Sequence, residues 1–363
     1  MARAPKPIEE RPPHDALEGV TLPRQTRILI GHRHAEQALL DAYRSGRMHH
    51  AWILAGERGI GKATLAFRLA RFIFAHPDPS APEVAEAKDL SVASDDHDAH
   101  WLEIGAHPNV LHLHREWDDQ RSRYRSALSV DSIRRITPFL GTTAGEGGWR
   151  ALIVDPADDM TPNAANAILK SLEEPPRQTL FFLIAKSRGA LLPTILSRCR
   201  TLNLKPLTAE ETQAVVGGVA PDLARSPDPA LAAELAGGSP RRLIELQRQE
   251  GVELYRLMRQ AIEGGKAEAR LKLSALAAAP AGAEQFMDLF KGYLSRRVHG
   301  SAEPAGAENP PTVPLVRWAE LWEKATLSGR EVETYNLDRR QFVLDLLETS
   351  AAALRQPGTP VRL

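Results

Sequence analysis

Residues 52–70, WILAGERGIGKATLAFRLA, constrain the fold more than any other stretch of this chain. The apolar run Trp52–Ala55 meets a turn that holds Gly56, Gly59 and Gly61. Lys62 follows, and after it an apolar-periodic segment with Leu65, Ala66, Leu69 and Ala70. That order reads as strand, loop and helix. Its G-x-x-x-x-G-K spacing is the phosphate-binding loop pattern, against which stands only a plain glycine turn. Glycines let the turn direct its N–H groups around an anion, and the helix N-terminus adds partial positive charge. Lys62 is placed to reach the outer phosphates of a nucleotide. The next position ordinarily carries a Ser or Thr hydroxyl for Mg²⁺. Here it is Ala63, with Thr64 behind it. The loop fold and a working nucleotide site are therefore separate questions.

A length of 363 residues allows about two or three domains. Apolar residues make up 43%, ample for a core. Lys and Arg total 46, and Asp and Glu total 46. No net field draws in nucleic acid, so a DNA contact has to come from a local patch or from an assembly. The single cysteine, Cys199, excludes disulfides and cysteine-rich zinc sites and points to a reducing compartment. No apolar run approaches the length of a membrane span. Residues 1–24 are charged and Pro-rich with no apolar signal core, and read as a flexible tail.

Helical spacing begins with Ala35, Ala38, Leu39 and Ala42. Arg44, Arg47, His49 and His50 then precede the loop strand, either facing a nucleotide or closing a solvated helix end. Residues 76–125 read as a surface insertion, acidic at its start. Its histidines, His97, His100, His107, His112 and His114, are spaced too loosely for a metal site. Residues 109–113 alternate like a strand, and Arg121, Arg123 and Arg125 cluster in a solvated hairpin or loop. Residues 149–155, WRALIVD, read as a buried parallel strand ending in an acid. Asp155 is placed where phosphate-loop proteins hold Mg²⁺. Residues 163–172 form a helix stopped by Pro175 and Pro176, and 179–185 form another buried strand with Lys186 and Ser187 at its end. Residues 201–204 read as a last short strand.

Thr208 with Glu211 makes a capping box, the first of three short helices in 206–250 that read as a lid. Residues 251–363 are helical in pattern over 252–263, 267–278, 283–298, 313–327 and 337–354, with a Pro-rich loop at 301–314. Trp318, Leu321, Trp322, Ala325, Phe342, Val343, Leu346 and Leu347 recur at helical spacing. They read as a domain core, or alternatively as an oligomer interface.

GERGIGKAT (56–64), DPAD (155–158), NAANAILKSLEEPP (163–176), LLPTILSRC (191–199) and GGSPRR (237–242), with Asn336–Arg340 before the last helix, together resemble the clamp-loader branch of the AAA+ family. The likeness is closest to its δ′ type in bacterial DNA polymerase III. It implies a RecA-like phosphate-loop α/β domain over 25–205 with a parallel sheet, a helical lid over 206–250 and an all-helical collar over 251–363. It also implies partners: γ/τ-type ATPase and δ-type subunits in a hetero-pentamer, with the sliding clamp and primer–template DNA met through that assembly. The implied setting is a cytoplasmic replisome, not a membrane.

Active members follow the strand-end acid with a Glu that polarises water. Pro156 stands there, so this chain lacks both a metal hydroxyl at 63 and a base at 156. The resemblance makes Arg198, in Ser197-Arg198-Cys199, an arginine finger for a neighbour's ATP. Guanidinium suits that role because it stays charged and forks onto phosphate oxygens. Gly56, Gly59, Gly61, Lys62, Thr64, Asp155 and Arg241 are then a degenerate nucleotide site. It requires no cofactor and is compatible with weak ATP or ADP binding. Some relatives carry a four-cysteine zinc module; without cysteines in 76–125 no zinc is expected. The preferred expectation is a non-hydrolysing component of the polymerase holoenzyme. The competing one is an active clamp-loader ATPase, with Thr64 on the metal and Asp158 as base.

Overall fold

The computed structural model describes residues 12–141, 148–223, 228–298, 315–335 and 337–355. It divides into two compact units, Met1–Pro221 and Asp222–Leu363.

The strands of the first unit are β1 (Ala51–Ala55), β2 (Val110–Leu113), β3 (Trp117–Asp118), β4 (Arg123–Tyr124), β5 (Arg150–Val154), β6 (Thr179–Ala185) and β7 (Arg200–Asn203). Five of them form one sheet in the order β2-β5-β6-β1-β7, every pairing parallel. The other two, β3 and β4, pair as an antiparallel hairpin. Alternate residues of the central strands enter two separate cores. Ala51, Ile53, Leu152, Val154, Phe181 and Leu183 lie in one. Trp52, Leu54, Ala151, Ile153, Phe182 and Ile184 lie in the other. Strand side chains alternate between faces, and both faces here are covered, which is why these strands read as unbroken apolar runs.

The helices of this unit are α1 (Arg33–Arg44), α2 (Lys62–Ala75), α3 (Pro82–Glu86), α4 (His97–Ile104), α5 (Val130–Arg134), α6 (Ile136–Gly141), α7 (Pro162–Glu173), α8 (Pro193–Leu196) and α9 (Ala209–Val219). α1, α2 and α4 cover one face through Leu39, Leu40, Leu69, Phe72 and Leu102. α5 to α8 cover the other through Ile133, Ile136, Ile168 and Ile195. Thr161 caps α7 by accepting the Ala164 N–H. The expected capping box of Thr208 and Glu211 opens α9.

Two stretches are more integrated than the sequence suggests. Within 76–125, β2 is an edge strand of the main sheet, and Val84, Leu90 and Leu102 are core residues. Scattered apolar residues among acids hide that packing. Residues 12–24, expected within the tail, make specific contacts. Tyr124 donates to the Pro12 carbonyl, Arg71 donates to the Arg24 carbonyl, and Arg24 donates to that of Glu103.

The second unit holds α10 (Pro229–Ala236), α11 (Pro240–Arg248), α12 (Gly251–Ile262), α13 (Ala267–Leu276), α14 (Pro280–Val298), α15 (Leu315–Tyr335) and α16 (Arg339–Arg355). Helix α9, expected in the lid, groups with the first unit. Trp318, Leu321, Ala325, Val343, Leu346 and Leu347 are buried, whereas Trp322 is 39% exposed. α15 runs past the expected end at 327, through Gly329. A helical glycine costs about 1 kcal/mol; Val332, beyond it in the same helix, is buried. The Pro-rich loop 301–314 and Asn336 lie outside the described residues.

Candidate phosphate-loop site and the Arg198 segment

β1 delivers the chain into the loop at the carboxyl end of the sheet, between β6 and β7. Gly56 takes φ 154°, Gly59 77° and Gly61 105°. At Gly56 a Cβ would lie 2.5 Å from the Leu204 carbonyl oxygen and 2.8 Å from Ile60 Cδ1. Only glycine fits there, because both the torsion and the space exclude a side chain.

Lys62 opens α2 and is 7% exposed. Its Nζ donates to the carbonyls of Gly56 and Glu57, each at 2.6 Å. Burial pulls its pKa below the ordinary lysine value, with Asp155, Asp158 and Glu57 opposing the shift. Asp155 follows β5, and its peptide to Pro156 is cis. Its carboxyl is pushed up to about 7, chiefly by burial and next by Asp15, with Lys62 acting the other way. Asp158 Oδ2 accepts the Lys186 N–H at 3.4 Å. Its Oδ1 is buried with no partner among the described residues. Lys62, Asp155, Asp158 and Lys186 are thus gathered at the ends of β1, β5 and β6.

A Mg²⁺–triphosphate fits this donor set poorly. Ala63 offers no oxygen, the Asp155 carboxyl resists ionisation, and the Lys62 ammonium is turned onto its own loop. Thr64 lies in the first turn of α2. Among the described residues, no group of three or more His, Cys, Asp or Glu is arranged to hold a metal ion.

Sequence reading passed over His32. Its Nε2 lies 2.6 Å from the Ile60 carbonyl of the loop. A carbonyl only accepts, so Nε2 carries the proton. Burial lowers the His32 pKa, which keeps the ring neutral. The only sequence signal was Gly31-His32 directly before a helix, where His32 takes φ 55°. Arg44, His49 and His50 do not serve this site. Arg44 donates to the carbonyls of Val84 and Ala87. His49 and His50 stack at 4.4 Å before the first residue of β1, the end away from the loop.

Arg198 lies in the turn between the four-residue helix α8, which opens at Pro193, and β7. Its guanidinium donates to the Thr194 carbonyl at 2.8 Å and pairs with Glu173 at 2.5 Å. The two side chains are 33% and 48% exposed. The neighbouring Cys199 thiol is pushed up to about 12 by burial, and so stays protonated. Arg241 belongs to the second unit, in α11, where it pairs with Glu245 at 2.9 Å.

Residues 31–208 match the family model described as DNA polymerase III, delta subunit. The chain is similar to DNA polymerase III subunit delta' of Escherichia coli, 28% identical over 324 residues, covering 86% of this chain and 91% of that protein. It is 33% identical over 250 residues to the delta' subunit of Pseudomonas aeruginosa, covering 68% of each. Among solved structures, a gamma subunit-related protein of Thermotoga maritima superimposes with a TM-score of 0.44 at 16% identity, over 86% of this chain and 99% of that one.

Proposed function

The chain belongs to the delta' family of DNA polymerase III subunits, and from that premise we propose that it is the non-hydrolysing subunit of a clamp loader. It joins γ/τ-type ATPases and a δ-type subunit in a five-membered ring. That ring places a sliding clamp on primer–template DNA in the cytoplasm. Its own phosphate loop is a structural remnant, and its chemical contribution is Arg198, offered to the ATP of an adjacent subunit.

One observation carries this reading: two chemical losses fall in one site, while the cation of the other is intact and accessible. Ala63 and Pro156 remove the metal ligand and the water-activating acid. Arg198 remains partly exposed, held by the Thr194 carbonyl and one partly exposed carboxylate. Transition-state charge on a phosphoryl group needs the metal and the arginine together. The first must therefore come from another chain.

The test has two arms. The purified chain is assayed for primed-DNA-stimulated ATPase, and calorimetry measures nucleotide binding with and without Mg²⁺. No turnover is expected. Tagged chain should also capture γ/τ-type and δ-type subunits. The buried, unpartnered Oδ1 of Asp158 favours a second reading, an active ATPase with Asp158 as base and Thr64 on the metal. Tight, metal-dependent binding with turnover would establish that reading and overturn the first.

A further inference from the structure

The β3–β4 hairpin takes no part in the site above. Its cross-strand pairs are Trp117 with Tyr124 and Asp118 with Arg123. Trp117 and Tyr124 meet edge to face at 5.0 Å. Tyr124 also packs edge to face on His14 and donates to the Pro12 carbonyl. That aromatic face is anchored on the N-terminal segment. Successive strand side chains point to opposite faces, so Arg123 and Arg125 share the face directed away from it. Arg121 stands at the tip, beside Ser122 at φ 48°.

All three guanidinium groups are exposed. None has a side-chain partner among the described residues. Two of the nearby carboxylates pair with other cations. Glu116 pairs with Arg135 at 3.3 Å, and Asp131 with Arg134 at 3.0 Å. Asp118 faces Arg123 across the hairpin, yet its Oδ1 accepts the N–H groups of Gln120 and Arg121. The hairpin thus carries three exposed guanidinium groups against the carboxylates of Asp118, which faces Arg123, and Asp119.

We propose that this arm is a contact surface for a nucleic-acid backbone, with Arg121, Arg123 and Arg125 on successive phosphates. Arg123 and Arg125, two apart along the strand direction, are spaced by about 6.6 Å, a distance that follows a phosphate chain rather than a single anion, and Arg121 extends the row at the tip. Guanidinium forks onto phosphate oxygens. A membrane is a poorer occupant. Interfacial binding needs apolar side chains to insert, and no large apolar residue of the hairpin is exposed. The choice of primed DNA as the polyanion rests on the clamp-loader reading; the surface itself does not.

The test uses the full chain and a fluorescently labelled primer–template oligonucleotide, read by anisotropy between about 50 and 200 mM salt. Each phosphate contact adds about 0.9 to the slope of log affinity against log salt, so R121A/R123A/R125A should lower the slope by about 2 to 3. Its affinity at low salt should fall at least tenfold, whatever the oligonucleotide sequence. The triple Arg→Lys variant keeps the charges and should keep most of the slope. An Ala variant with unchanged slope and affinity overturns the proposal. So does a Lys variant that loses as much as the Ala one, or polyglutamate competing as strongly as DNA. Capture of γ/τ-type subunits by the Ala variant should match the parent chain. That readout fails only if the clamp-loader reading fails.

Discussion

Lys62 and Arg198 are both cations held by oxygen atoms, and the difference in how they are held is what the proposed division between a scaffold and a reagent rests on. Lys62 is 7% exposed, with its ammonium closed onto two carbonyls of its own loop. Redirecting it would break two hydrogen bonds made by a charged, largely buried group, a cost of about 1.5–3 kcal/mol each. Arg198 is a third exposed, and its partner Glu173 is nearly half exposed. An exposed ion pair is worth about 0–1 kcal/mol. An arginine finger on a transferring phosphoryl group gains about 10³-fold or more. The second exchange is favourable and the first is not.

The largest effect should come from Arg198→Ala in a reconstituted clamp loader. Single-turnover hydrolysis at the site it faces should fall by about 10³-fold. If this chain's own site does no chemistry, Lys62→Ala in the same complex should change hydrolysis less than twofold. Equal losses from the two variants would erase the distinction between them.

Gly56→Val attacks the other member of the comparison. A side chain at Gly56 meets the Leu204 carbonyl oxygen at 2.5 Å, so overpacking and backbone strain together should cost about 2–4 kcal/mol. Urea denaturation would show it as a lowered midpoint. If the loop is a scaffold, hydrolysis by complexes that do assemble should be unchanged. A stable Gly56→Val chain would mean that the loop is loose and is not the fold's keystone.

The strand–loop–helix was legible because its signals are local: an apolar run, glycines and a lysine at fixed spacing. The same holds for β5, β6 and the Thr208 cap, where period and capping chemistry act over a few residues. The contacts of the site were not legible. His32 reaches Ile60 across 28 residues, and Leu204 closes on Gly56 from the end of the neighbouring strand β7, distant only along the chain. The Arg198–Glu173 pair joins two motifs that are separately readable, yet nothing in either one names the other. The integration of 76–125 was hidden similarly, since Leu90 and Leu102 lie in a stretch rich in acids and histidines and become core only through tertiary packing.

Asp155→Asn tests the loop site through pH. The Asp155 carboxyl has a folded pKa raised to about 7 from an ordinary 3.8. The folded state therefore holds a proton that the unfolded state has released between those values. Asp155's contribution is fully present below pH 4 and is lost as pH rises towards 7. Asn cannot ionise, so the variant should be more stable than the parent at pH 8. The advantage should reach about 4 kcal/mol at most, given roughly 1.4 kcal/mol per pKa unit. It should vanish by pH 4. Denaturant midpoints across that range would measure it. An advantage independent of pH would mean that Asp155 is ionised in the fold and free to bind a cation.

The smallest effect concerns the latch on Arg198. Glu173 holds the guanidinium against the end of α8, together with the Thr194 carbonyl. If that pair competes with the neighbour's phosphate, Glu173→Gln should raise hydrolysis in the complex. The ceiling is about fivefold, because an exposed pair contributes at most about 1 kcal/mol. Stability of the isolated chain should change by less than that. Added salt should mimic the substitution in the parent and leave the variant's rate ratio flat, since screening weakens an exposed pair. A fall in hydrolysis would instead make Glu173 a positioning residue that aims Arg198 across the interface. No change within twofold would mean the pair dissolves on assembly before it can compete, and the contrast between a fixed lysine and an exchangeable arginine would then rest on Lys62 alone.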